Sequence, residues 1–195
     1  MKHIARTIFK ALFYCAVLFS AATNAQNKPI VTLHTTMGDI VLELDAERAP
    51  ITVANFLQYA KSGFYENTVF HRVIPRFMIQ AGGFTADLEQ KETLEPIANE
   101  SKNRWHNERG TIAMARTNDP DSATAQFFIN VRMNARLDYR YRQPGYAVFG
   151  KVVEGMDVVD SISFEKTQPK GRHQNVPIKP IVIEKVTLAE QQVSQ

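Results

Sequence analysis

Between Arg72 and Gln80 the chain gathers one guanidinium, one carboxamide and the apolar pair Phe77-Met78. A later stretch answers it: Met114-Ala115-Arg116-Thr117, then Gln126-Phe127-Phe128-Ile129-Asn130. Successive side chains of a strand point to opposite faces. Read as strands, the two stretches put aromatic and thioether groups on one face with a guanidinium and two carboxamides. That set describes a shallow apolar pocket with hydrogen-bonding groups beside it. It holds no nucleophile and no carboxylate pair.

Other chemistry finds little support. The sequence has no Gly-x-Ser-x-Gly elbow, no Gly-x-x-x-x-Gly-Lys-Ser/Thr loop and no His-Glu-x-x-His helix. His34, His71, His106 and His173 sit on different segments with no i, i+4 pair, so no metal site is expected. If Arg72 faces the pocket, His71 faces inward as a hydrogen-bonded core histidine. Asp119 and Asp121 flank Pro120 in a run of turn formers rather than forming a catalytic pair. Gly82-Gly83 is a bend before it is a phosphate cradle. Trp105, among Lys102, Arg104, His106 and Arg109, could stack on a nucleic-acid base. A solvated loop anchored by one aromatic is the simpler reading.

The first residues belong to no fold. Lys2, Arg6 and Lys10 precede an apolar run, Ala11 to Ala22, that is too short to span a bilayer comfortably. Small residues follow, so residues 1–25 read as a secretory signal cut after Ala25, with Ala22 the alternative. The formal charge of +3 comes largely from those three basic residues. The remaining chain is nearly neutral, which argues against nucleic-acid binding. Cys15, the only cysteine, leaves with the leader. The exported chain then has no disulfide and no thiolate, and its stability rests on its core.

The elements that must position the pocket follow from periodicity. Alternation over Ile30–His34 and Ile40–Leu44, with a turn between, predicts a hairpin. Pro50, the stripe Val53, Phe56, Leu57, Ala60 and then Gly63 predict a helix over 50–61. Strands are expected over 69–73, 77–81, 111–116, 126–130, 146–151 and 181–188, and a short helix over 155–162. Residues 82–110, 131–145 and 163–179 read as loops; a loop as long as the first is functional or packed on itself. Eight short strands without regular βαβ alternation predict a single, mainly β domain over 26–195. Its form is a closed eight-stranded antiparallel barrel with two helices capping its ends. Side chains fill such a barrel, so a ligand binds outside, on the wall.

The motif Phe70-His71-Arg72-Val73-Ile74-Pro75-x-Phe77-Met78-Ile79-Gln80 resembles the signature of cyclophilin-type peptidyl-prolyl cis–trans isomerases. Met114-Ala115-Arg116 with Ser122-Ala123-Thr124-x-Gln126-Phe127-Phe128-Ile129-Asn130 is similar to that family's second block. Ala147–Val152 with Gly155–Val159 is similar to the third. The helix sequence around Ala49-Pro50-x-Thr52-Val53-x-Asn55-Phe56 also fits. The leader and the Ala115-Arg116-Thr117 triplet resemble bacterial periplasmic members. The resemblance implies that Arg72 is the catalytic arginine and that Gln80 holds it or the substrate carbonyl. It assigns Phe77, Met78, Phe128 and Leu137 to the proline pocket, and Ala115, Arg116 and Gln126 to the peptide on either side. It implies an enzyme that works without cofactor or metal on proline-containing polypeptides; the near-neutral exported chain argues against nucleic acid, no membrane contact is expected once the leader is cut, and nothing demands more than a monomer. A proline-peptide-binding chaperone module with incidental catalysis is the alternative. The sequence departs from eukaryotic members in carrying Arg136 for a tryptophan, which implies weaker cyclosporin binding. It also has Ala81 for a glycine, and Tyr146 for a histidine, where the tyrosine could pack on the proline ring.

Overall fold

The computed structural model describes residues 28–189, and the leader assigned to 1–25 lies outside the described residues. The first alternating run folds as predicted. β1 (Ile30–Thr35) and β2 (Gly38–Leu44) pair as an antiparallel hairpin with Thr35 opposite Gly38. Val31, Leu33, Ile40, Leu42 and Leu44 enter one buried cluster. Next comes α1 (Pro50–Lys61), with no local side-chain cap. Glu100, in the long polar loop, caps it instead by accepting from the N–H groups of Ile51 at 3.1 Å and Thr52 at 2.8 Å. A carboxylate there satisfies orphan donors and meets the positive end of the helix dipole.

The remaining elements are β3 (Thr68–Val69), β4 (Arg72–Ile74), β5 (Met78–Ala81), β6 (Thr111–Met114), β7 (Phe127–Asn130), β8 (Val148–Glu154), α2 (Met156–Ser163), β9 (Thr167–Lys170), β10 (His173–Pro177) and β11 (Val182–Leu188). Nine strands form one antiparallel sheet in the order β3-β11-β1-β2-β8-β6-β7-β5-β4. Its two edge strands, β3 and β4, are consecutive in the chain, separated only by Phe70 and His71. The sheet therefore curls until its edges are joined by their own backbone. Counting segment 68–74 as one bent strand gives the eight of the expected barrel. The single strand expected over 69–73 is two, because one segment must pair with β11 on one side and β5 on the other.

A second correction concerns residues 163–179. That stretch contains a two-stranded sheet, β9 with β10, turning at Gly171 and Arg172. Pro169 and Pro177 disguise it, since proline in a polar run argues against a strand. Elsewhere alternation sorts the two faces cleanly. Val73, Ile79, Ala81, Ile112, Met114, Phe127, Ile129 and Phe149 point into the interior cluster. Val53 and Phe56 of α1 and Val159 and Ile162 of α2 join the same cluster. Helices can reach a barrel interior only through its open ends. Gly155, at the start of α2, has φ +85°, and a Cβ there would collide with the Asp39 carbonyl, so glycine is required. Among the described residues no helix is long and apolar enough to cross a membrane.

Candidate functional site

The outward face of the same strands is also apolar. Met78, Ala113, Phe128 and Val148 are buried there beneath Ile74, Phe77, Trp105, Ala115, Leu137 and Tyr146. A barrel wall with a second small core outside it needs something to cover that core, and the cover is incomplete. The gap is a cavity of about 500 Å³, within the range of small-ligand pockets.

The β4–β5 hairpin builds one side. Arg72 pairs across with Gln80 and Ile74 with Met78, so all four share the outward face. The turn between the strands carries Arg76 in the left-handed region, φ +57°, and Phe77 N–H donates to the Ile74 carbonyl at 3.1 Å. This turn brings Phe77 back onto the face of Arg72, although Pro75 interrupts the strand period. On the neighbouring strand β7, Phe128 stands opposite Gln80. A line of side-chain hydrogen bonds crosses the three segments. Arg72 Nη1 donates to Gln80 Oε1 at 3.3 Å, and Gln80 Nε2 donates to Gln126 Oε1 at 3.0 Å. The line leaves further guanidinium donors of Arg72 beside the apolar cavity.

The opposite side comes from residues 131–146. A 3-10 turn, Ala135–Leu137, presents Leu137, and Tyr146 N–H donates to the Leu137 carbonyl at 2.8 Å. Tyr146 stacks edge-on to Phe128, centroids 5.5 Å apart, and lies 4.6 Å beneath the Arg116 guanidinium. Arg116 also donates to the carbonyls of Pro144 at 2.8 Å and Gly145 at 3.3 Å. Its side chain thus clamps this loop over the wall. A buried amide network supports the floor. Asn134 Nδ2 donates to the Phe77 carbonyl at 2.9 Å and to Asn130 Oδ1 at 2.7 Å, and Asn130 Nδ2 donates to Thr111 Oγ1 at 3.0 Å. Asn107 extends the network to Asp138. Burial opposes ionisation of Asp138, but the Asn107 donors and His106 outweigh it and hold the carboxyl below its usual range.

All ten residues singled out from the sequence line this one cavity: Arg72, Phe77, Met78, Gln80, Ala115, Arg116, Gln126, Phe128, Leu137 and Tyr146. Five more line it that the sequence reading passed over: His71, Phe84, Arg172, His173 and Gln174. His71 is buried as expected, but its Nδ1 has no hydrogen-bond partner among the described residues. It does not sit behind Arg72 on the far face, because the chain bends between β3 and β4. It packs against Phe84 with centroids 4.6 Å apart, and Phe84 packs against His173 at 4.8 Å. Burial lowers the His71 pKa to about 4. The hairpin turn at Gly171-Arg172 was the one local signal for the last three lining residues. Trp105 is no free stacking platform: it packs on the outer cluster, with the Arg48 guanidinium 5.1 Å from its ring. Among the described residues no group of three His, Cys, Asp or Glu is arranged to hold a metal.

Residues 30–188 match the family model described as cyclophilin type peptidyl-prolyl cis-trans isomerase. The chain belongs to this family and is a peptidyl-prolyl cis–trans isomerase. It is 56% identical over 166 residues to peptidyl-prolyl cis-trans isomerase A of Dickeya dadantii, covering 85% of this chain and 87% of that one. It is 54% identical over 164 residues to isomerase B of Escherichia coli, covering 83% and 100%. In three dimensions it resembles a cyclophilin-type isomerase from Cryptosporidium parvum crystallised in the presence of the dipeptide Ala-Pro. That match has TM-score 0.67 and 26% identity, and covers 83% of this chain and 99% of the other. Such isomerases act on proline-containing polypeptides.

Proposed function

We propose that this isomerase speeds rotation about Xaa-Pro bonds in folding proteins outside the cytoplasm, exported by residues 1–25 and working in the periplasm as a monomer. The barrier to amide rotation is about 18–20 kcal/mol because resonance keeps the bond planar. Twisting breaks that resonance and localises a lone pair on the prolyl nitrogen. A donor fixed near that nitrogen binds the twisted amide better than the planar one and lowers the barrier. Arg72 is that donor, and Gln80, itself held by Gln126, orients it. Phe77, Met78, Phe128 and Leu137 seat the ring, with Tyr146 closing one side. Ala115, Arg116 and Gln126 receive the peptide on either flank. No covalent intermediate forms, and no cofactor takes part.

The observation that carries this reading is the Arg72–Gln80–Gln126 line beside the apolar seat. The Ala-Pro dipeptide present with the Cryptosporidium relative is a ligand of the size this seat suits. The test is acceleration of a proline-limited refolding reaction by wild type and Arg72→Ala. Wild type is expected to accelerate it, and the variant to lose about a hundredfold or more, the usual loss for a preorganised transition-state donor. No acceleration by wild type refutes the assignment to folding substrates. Equal acceleration by both removes Arg72 from the mechanism.

A further inference from the structure

Next to the proline seat lies a second concavity, about 890 Å³, that shares Phe77 and Leu137 with it. Its walls are Arg76, Arg132 and Arg136, with the exposed thioether of Met133 between them. All three arginines are exposed, and none forms an ion pair with a carboxylate among the described residues. Among the described residues, no aspartate or glutamate lines this groove or the proline cavity. Asp138, the nearest in sequence, is turned to Asn107 and His106. The chain as a whole is close to charge balance, with 23 basic and 20 acidic residues. The cationic cluster is therefore a local arrangement. Like charges held together repel, and a carboxylate placed among them relieves that repulsion. The groove is also held in shape, because Asn134 in its floor donates to the Phe77 carbonyl and Val131 N–H donates to the same carbonyl at 3.0 Å.

We propose that this groove is a specificity subsite that takes an aspartate or glutamate side chain flanking the isomerised proline. The inference rests on the isomerase reading above and adds a substrate class to it. A peptide seated with its proline over Phe77 and Leu137 runs directly into the groove on one flank. Arginine suits the task because its planar fork meets a carboxylate with two parallel donors. Met133 supplies an adaptable apolar contact for the methylene stem. Exposed ion pairs are individually weak, so the preference is modest and salt-sensitive.

The experiment measures cis–trans exchange by NMR for a matched peptide series carrying Glu, Gln or Lys at each position flanking an Ala-Pro bond. Wild type is compared with the Arg76→Gln, Arg132→Gln, Arg136→Gln triple variant at low and high salt. Glutamate on one flank is expected to raise kcat/KM about three- to tenfold over glutamine, with lysine below both. The gain shrinks at high salt and vanishes in the triple variant, whose rate on the glutamine peptide stays at the wild-type level. Equal rates for Glu and Gln peptides in wild type overturn the subsite and leave the isomerase intact. A gain that survives in the triple variant also overturns it. No catalysis of any peptide by wild type sinks the isomerase reading itself. An oligonucleotide that binds wild type but not the triple variant, with no glutamate preference, assigns the groove to nucleic acid and overturns the proposal.

Discussion

At the scale of single residues, the proposed mechanism rests on orientation. Arg72 carries the charge, and Gln80, itself held by Gln126, accepts from one of its nitrogens and so fixes the direction of the guanidinium. Tyr146, which the sequence suggested could pack on a proline ring, lines the cavity. Its ring lies between Phe128 and the Arg116 guanidinium, so it is fixed from both sides and presents a firm wall to the cavity. Aromatic contacts of this kind contribute about 0.5–1.5 kcal/mol beyond area burial. Tyr146→Ala is therefore expected to lower kcat/KM on an Xaa-Pro peptide about three- to tenfold and to lower the thermal midpoint as these contacts are lost. Unchanged kcat/KM would remove Tyr146 from the seat. Residues of this kind were legible because the motifs that carry them resemble those of the family the chain belongs to. His71, Phe84 and His173 were not, because they meet only after the chain bends at Phe70 and after β9 and β10 pair.

At the scale of elements, the β1–β2 hairpin and both helices announced themselves through period 2 or period 3.6, and the β9–β10 hairpin and the loops did not. The stretch 82–110 shows no period because it is held point by point. Glu100 caps α1, Leu94 N–H donates to the Tyr59 hydroxyl at 2.8 Å, and Asn99 reaches Asp121 and Gly145. Long-range hydrogen bonds leave no mark on local sequence spacing. The same holds for the amide network under the seat. Asn130 ends β7 and is fully buried, yet it ties β6 through Thr111 to the loop through Asn107 and Asn134. Asn130→Ala strands these partners inside the protein, and unsatisfied buried polar groups cost about 1–3 kcal/mol each. The variant is expected to lose roughly 2–4 kcal/mol of unfolding free energy in urea, with a raised KM from a loosened Leu137 turn. A loss below about 0.5 kcal/mol, the range of ordinary surface substitutions, contradicts the supporting role.

At the scale of the whole molecule, the question is where a barrel closed by its own backbone is weakest. The described chain contains no cysteine, so no covalent bridge holds the seam between β3 and β4. Phe70 and His71 span that seam, and both side chains are buried. His71 has its Nδ1 unpartnered, His173 packed nearby at 6.5 Å, and Arg72 as its chain neighbour. Burial therefore lowers its pKa from 6.5 to about 4. The direction of the linkage follows from that depression. Above pH 6.5 the histidine is neutral in folded and unfolded chains alike, and its site costs nothing. As pH falls from 6.5 towards 4 the unfolded chain takes up a proton that the folded chain refuses, so stability is lost across that window and levels off below it. The full loss is about 3 kcal/mol, from roughly 1.4 kcal/mol per unit of pKa. Asp138 and Asp160 act lower down, because their carboxyls are held below the usual 3.8 and lose their contribution as pH approaches and falls below it. Urea unfolding measured between pH 7 and pH 4.5 should thus show a falling unfolding free energy, with Asp45, Asp138 and Asp160 adding their own losses at the acid end of that window and below it. In His71→Leu, which replaces the ring with an apolar group, the curve over that window should flatten whatever the variant's stability at pH 7. If wild type and His71→Leu decline in parallel, the seam is not where acid opens the barrel.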